Sequence, residues 1–210
     1  MAIVWPCSLS VDEYRAAGDD AEVPRPVCPA CSKSMMFWSR YTRSVRIDGQ
    51  CHRVRLRRAR CGPCAKSHVL VPSFSAVGRL DVIDTIGEVI TAVVVGGAGV
   101  RPVATTFDIP HTTARDWARR FRRLAERLAA TFAALVVELT GLAPHPPVDP
   151  QMASLWLMDA AWTEACRRLG ERVGRRWPFV NLVCGGAMLA ATTNPLSTIA
   201  GIRRFMAPVP

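Results

Sequence analysis

The chain has 210 residues, a formal net charge of +10 and a hydrophobic content of 50%, enough for one compact domain or two small ones. No apolar run reaches the ~20 residues that a spanning helix needs. The start, Met1 to Cys7, lacks the charged and long apolar regions of an export signal, which argues against a secreted disulfide scaffold despite eight cysteines. The charge is localised: residues 28–80 hold eleven Lys or Arg against one acid, Asp48, and nearly all of the basic residues are arginine. Arginine favours phosphate forks and guanine edges. A basic surface also suits anionic lipid or plain solubility, but concentration on one segment fits a phosphate backbone better.

Residues 1–26 read as an N-terminal arm, with an acidic stretch from Asp12 to Glu22 forming a short helix or a loose lead into the cysteine-bearing segment. Residues 27–75 then carry two Cys-x-x-Cys pairs, Cys28-Pro-Ala-Cys31 and Cys61-Gly-Pro-Cys64. Each pair lets both sulfurs of one turn face a single ion, so two pairs close a tetrahedral Zn²⁺ site. The intervening segment has little apolar material, which makes a metal its expected organiser. Alternation in Arg53-Val54-Arg55-Leu56-Arg57 predicts a strand with Val54 and Leu56 inward and arginines outward. Its partner is Phe37 to Ile47 across an Asp48-Gly49 turn, a zinc-ribbon layout. Redox pairs need a βαβ setting that is missing, and unpaired core cysteines are the remaining bland reading. His52 and His68 are substitute ligands, but four cysteines already fill the shell. Cys7, Cys51, Cys166 and Cys184 lack such spacing and read as small hydrophobes or free thiols.

Residues 76–143 read as a helix-turn-helix unit. Ile83, Ile86, Ile90 and Val94 mark a first helix from about Asp81 to Val95, ended by Gly96-Gly97, and Pro102 suits the first turn of a short second helix. A third helix comes after Phe107-Asp108-Ile109-Pro110. Its apolar face is Ala114, Trp117, Phe121, Leu124 and Leu128, and His111, Thr112, Arg115, Asp116, Arg119, Arg120 and Arg123 lie opposite. A solvated charge run is the bland account of that face. Its position after a short helix and tight turn favours a recognition helix.

Pro144-His145-Pro146-Pro147 breaks the chain before a helical C-terminal region, 149–210. Gln151 to Leu169 reads as a helix with Asp159, Glu164 and neighbouring acids on its solvated side. The apolar run Trp177 to Thr192 reads as a buried helix or an oligomer interface, so homodimerisation through the C-terminal helices is an expected arrangement. A membrane-associated tail is the lesser reading of the same run. The fold class expected is thus α+β, mostly α: a small zinc-ribbon β-hairpin, a helix-turn-helix bundle and C-terminal helices.

Cys28-Pro-Ala-Cys31, Arg60-Cys61-Gly-Pro-Cys64, His68-Val-Leu-Val-Pro72, Gly99-Val-Arg-Pro-Val-Ala104 and Thr113-Ala-Arg-Asp-Trp-Ala-Arg-Arg-Phe121 resemble the N-terminal region of insertion-sequence transposases, closest to a related domain-of-unknown-function family. The resemblance covers about residues 25–130. It implies double-stranded DNA as partner, Zn²⁺ on Cys28, Cys31, Cys61 and Cys64, and the helix from His111 to Arg123 in the major groove with Thr112, Thr113, Arg115, Arg119 and Arg120. Ribbon arginines Arg53, Arg55 and Arg57 would grip phosphate. Transposase chemistry needs three spread carboxylates around two metal ions, whereas the acids after Pro147 are few and closely spaced. The expectation is a non-enzymatic, cytoplasmic, nucleoid-associated DNA-binding protein. A zinc-stabilised protein-interaction module is the alternative, and a catalytic transposase fragment the weaker one.

Overall fold

The computed structural model describes residues 2–189 of the chain, an α+β fold with more helix than strand. Strands β2 (Met36–Ile47) and β3 (Gln50–Arg60) pair antiparallel across Asp48-Gly49. Both turn residues have positive φ, 47° and 73°, as a two-residue hairpin turn requires. The alternation read from the sequence holds, since Val54 and Leu56 are buried. Strand β4 (Ser67–Pro72) continues antiparallel beside β3, and β1 (Ala2–Trp5) lies parallel beside β4, giving the order β1-β4-β3-β2.

The N-terminal segment is therefore no loose lead. Ile3, Val4 and Trp5 are buried in the sheet, and helix α1 (Val11–Ala17) starts in a capping box between Ser10 and Glu13. Tyr14 of α1 packs edge-on against Phe74, with ring centroids 5.5 Å apart. Its hydroxyl donates to the carbonyl of Arg55. A parallel partner far along the chain leaves no local signal, so β1 could not be found from periodicity. The hairpin is also richer in core than expected. Met35, Val45, Val54, Leu56 and Ala59 share one apolar cluster with Leu70, Val71, Phe74 and the N-terminal residues, so a metal is not its sole organiser.

Helices α2 (Ile83–Val94), α3 (Val100–Thr106) and α4 (His111–Thr140) pack on one another, followed by α5 (Pro150–Leu169) and the short α6 (Arg176–Val183). Helix α4 runs well past Arg123 because Leu128, Phe132, Leu135, Val136 and Leu139 keep its face buried. It stops at Gly141, whose φ of 74° provides a left-handed cap. Asp149 caps α5, accepting from the amides of Gln151 and Met152, with Pro150 at its first turn. In α6, Trp177, Phe179, Val180 and Val183 are buried, which accounts for the C-terminal apolar run as core as far as Leu189. Residues 190–210, including the end of that run, lie outside the described residues. No helix among those described is long and apolar enough to cross a membrane.

Two tight junctions tie these parts together. Arg46 of β2 grips Asp81 in a two-pronged ion pair, Nε to Oδ1 at 2.7 Å and Nη2 to Oδ2 at 3.0 Å. The same residue's amide donates to the Leu80 carbonyl, and its carbonyl accepts from Val82. Farther along α2, a Cβ placed on Gly87 would fall 2.0 Å from Cδ2 of Trp177. That ring is fixed, because its Nε1 donates to Glu88 at 2.7 Å and Arg176 stacks 4.3 Å from its centre. Gly87→Ala gains about 1 kcal/mol of helix propensity but must push an immobilised indole aside. Overpacking costs about 1–3 kcal/mol, so after that gain a net loss of up to about 2 kcal/mol is expected in urea unfolding, and a stabilised variant would show that the helices separate freely.

Candidate metal centre and cationic surfaces

The two cysteine pairs sit on loops of the same build. In the first, the amide of Cys28 donates to the Lys33 carbonyl at 2.8 Å; in the second, the amide of Cys61 donates to the Lys66 carbonyl at 2.9 Å. In each loop the residue after the second cysteine has positive φ, Ser32 at 57° and Ala65 at 52°. Each six-residue loop thus curls so that both of its sulfurs face the other loop. The four sulfurs lie within 4.8 Å of one another, with Cys31 to Cys61 at 3.4 Å and Cys28 to Cys64 at 4.0 Å.

These distances decide the chemistry available. They are far beyond the ~2.05 Å of a disulfide, and all four residues are free thiols. A tetrahedral ion with metal–sulfur bonds of ~2.3 Å sets sulfur–sulfur edges of roughly 3.8 Å, within the observed spread. Cys28 and Cys61 are buried while Cys31 and Cys64 are half-buried, so the group is sheltered without being sealed. The amides of Ala30 and Cys31 point at the Cys28 sulfur and lower its pKa to about 7. The Cys64 thiol is pushed up to about 12, first by the neighbouring Cys31 sulfur and then by burial. Four crowded sulfurs cannot all shed protons unaided, whereas a divalent cation would stabilise all four thiolates. The residues present fit a bound metal ion. His68 stays apart from this group: it is buried in β4, and neither ring nitrogen has a partner.

Arginines of the hairpin divide by what holds them. Arg40 and Arg55 both reach Asp19, at 2.7 and 3.1 Å, and Arg57 donates to the Asp19 carbonyl while stacking over Phe37. Asp19 lies in a 3₁₀ turn, Gly18–Asp20, directly after α1, so the acidic arm and the hairpin are joined through it. Arg53 and Arg60 are exposed instead. The sequence reading missed Asp19, and it also missed two exposed aromatics on β2, Trp38 and Tyr41. Their signal was the interleaving of aromatic and arginine in Phe37-Trp-Ser-Arg-Tyr41.

On α4, the residues expected to carry recognition share its solvent side. Thr112, Arg115, Asp116 and Arg119 form one stripe along the helix, while Ala114, Trp117, Ala118 and Phe121 are buried on the other side. His111 and Thr113 are half-buried at the helix start. Asp116 is the electrostatic hub, held by Arg120 at 2.6 Å, Arg119 at 3.0 Å and Arg79 at 3.7 Å. Arg120, then Arg119, hold its carboxyl below the usual range. Arg115 and Arg123 are exposed farther round the helix.

The acids of α5 are likewise bound to arginines. Asp159 accepts from Arg176 at 2.6 Å, and Glu164 is brought down to about pKa 2 by Arg167 and then Arg168. The Asp159 pair clasps α5 to the start of α6, whereas the Glu164 pairs lie within α5, and these acids are not grouped with a third: the sole group of three or more metal-ligating side chains found among the described residues is the cysteine cluster.

Neither the curated proteins nor the solved structures include a match to this chain. Residues 28–105 are similar to one family, described as a domain of unknown function (DUF6431), a stretch that runs from the first cysteine pair through the hairpin, β4 and α2 into α3.

Proposed function

We propose that this is a zinc-containing, non-catalytic DNA-binding protein resembling the DNA-recognition part of transposases. The observation that carries the reading is the solvent side of α4, where Thr112, Arg115 and Arg119 stand exposed along one stripe. That helix comes after α3 across a four-residue turn, Phe107 to Pro110, in which Asp108 takes a φ of 47°. A short helix, a tight turn and a longer helix with an exposed polar start is the build that places side chains on base edges in the major groove. The hairpin's arginines supply the second element, sequence-independent grip on phosphate. Zinc is the metal we assign to the four sulfurs, because an all-thiolate tetrahedral shell suits it and leaves no open position for chemistry. Asp159 and Glu164 lie five residues apart on one helix, each paired with arginine, so the chain alone is proposed not to cleave or join DNA.

Arg115→Ala should cost about 1–3 kcal/mol on the preferred site and relax its sequence preference. Arg53→Ala should weaken all duplexes alike and reduce the salt slope by about one contact. Arg55 and Arg57 are engaged by Asp19, so their replacement should disturb the N-terminal arm as well. Titration of the variants against selected and scrambled duplexes at several salt concentrations is the test. Equal behaviour of Arg115→Ala and Arg53→Ala would remove α4 as the reading element, and no binding by the folded parent would remove the proposal. The second reading, a protein-interaction module, draws on exposed Val137, Leu142, Val148 and Trp156 around the α4–α5 connection. A salt-insensitive homodimer would favour it.

A further inference from the structure

We propose a second nucleic-acid site, on the metal-proximal end of the hairpin, that binds unpaired nucleotides by stacking their bases on Trp38 and Tyr41. Strand register sets which side chains meet there. Tyr41 stands opposite Leu56, Ser39 opposite Arg58 and Met36 opposite Arg60. Alternate residues of β3 share a face, so Tyr41, Ser39 and Met36 share the face of Leu56, Arg58 and Arg60. Trp38 is the extra residue where the pairing shifts between Phe37 and Ser39, and a bulge of this kind re-aims a side chain. Its Nε1 donates to Ser67 Oγ at 3.0 Å, and the Arg58 guanidinium lies 5.3 Å from its ring centre. Ser67 stands opposite Arg60, so the indole lies across this same face.

Leu56, in the middle of β3, is covered, but Tyr41 opposite it on the edge strand, and the face from there toward the cysteines, are not. Trp38 is 52% exposed, Tyr41 48% and Met36 71%. A mobile aromatic in solvent would be an ordinary surface residue. This indole is held by a hydrogen bond and an overlying guanidinium, while half of its surface stays open. Around it, Arg60 and Lys66 are exposed, and the Arg58 guanidinium lies over the ring itself. A fixed indole beside a second exposed aromatic and exposed cations complements a flexible polyanion with accessible flat groups, which is what a single strand offers. A duplex keeps its bases stacked on one another and cannot present them to such rings. An apolar peptide would cover the rings but gain nothing from the arginines. The stacking surface lies on β2 and β3, separate from α4, and does not rest on the recognition-helix reading.

The experiment uses the metal-loaded full chain and an oligodeoxythymidine of about 12 nucleotides, with a blunt duplex in parallel. Anisotropy of the labelled oligonucleotide gives affinity, and quenching of tryptophan emission reports stacking. The parent should bind the single strand with quenching. Trp38→Ala should weaken that binding about 5-fold to 100-fold and remove most of the quenching, Tyr41→Ala should weaken it several-fold, and Trp38→Phe should keep most of the affinity. Duplex binding should change little in all three. Tyr41→Ala decides the matter if Trp38→Ala loses its metal, since Tyr41 is exposed on the edge strand. Parental affinity in both alanine variants, or no binding of the single strand by the parent, overturns the proposal. Arg115→Ala, which tests the duplex reading, should leave the single-strand titration unchanged, so the two readings fail separately.

Discussion

Cys61→Ser is expected to reduce bound metal from one ion per chain to a small fraction and to unravel the end of the sheet nearest the cysteines. Cys61 is buried, its amide closes the second loop, and its sulfur lies 3.4 Å from that of Cys31. Replacing a thiolate by a hydroxyl removes one quarter of the shell and leaves three crowded sulfurs competing for protons. Structural zinc supplies roughly 10–16 kcal/mol of apparent binding free energy in small fingers at neutral pH. Here part of the load is carried by the apolar cluster under the hairpin, so the helices should survive while strand signal and hairpin protection fall. Elemental analysis, amide exchange and circular dichroism on parent and variant measure this. Metal retention should also weaken as pH falls, because ligand thiols take up protons that the ion must displace. Absence of stoichiometric metal from the purified parent would exclude the site.

Asp81→Ala is expected to destabilise the fold by about 3–5 kcal/mol, the range for removing one partner of a buried ion pair. The Asp81 side chain is 4% exposed and that of Arg46 18%, and their two hydrogen bonds are at 2.7 and 3.0 Å. Burial opposes charge on Arg46, but the hydrogen bond to Asp81 outweighs it and raises the guanidinium's pKa. Without the Asp81 carboxylate that charge stays behind, largely covered and without its two hydrogen bonds. Replacing both residues by apolar ones of similar volume should restore most of the loss, because neither charge then has to be desolvated. Urea unfolding of the single and double variants provides the comparison. A single-variant loss below about 1 kcal/mol would mean that water reaches this pair freely, as at an exposed bridge.

Legibility in the sequence tracked the range of the interactions. The hairpin was legible because Val54 and Leu56 alternate with arginines and Asp48-Gly49 fits only a tight turn. The four cysteines were legible because each pair is local, and the structure brings all four together. The first and third helices from Ile83 onward came from 3.6-residue spacing and the short one between them from Pro102 after a glycine loop, though α4 extends well beyond the charged half that marks its start. Pairings between distant segments were hidden. Nothing near Ile3 announces a partner at Leu70, and nothing near Asp19 announces Arg40 and Arg55. The number of basic residues also overstates availability, since Asp19 and Asp116 between them occupy several of the arginines.

The parallel pairing of β1 with β4 sets an order of assembly. Ala2 must find Val69, and Trp5 must find Pro72, so the sheet cannot close until the ribosome has released everything between them. The entropy of closing a loop grows with the logarithm of its length, and contacts this distant in sequence slow folding. An ion joining Cys28 to Cys61 removes much of that slack beforehand, because the hairpin between them is already tied off. β1, made before its partner β4, would then dock onto a template in which the hairpin, with any ion held by the four cysteines, is already in place.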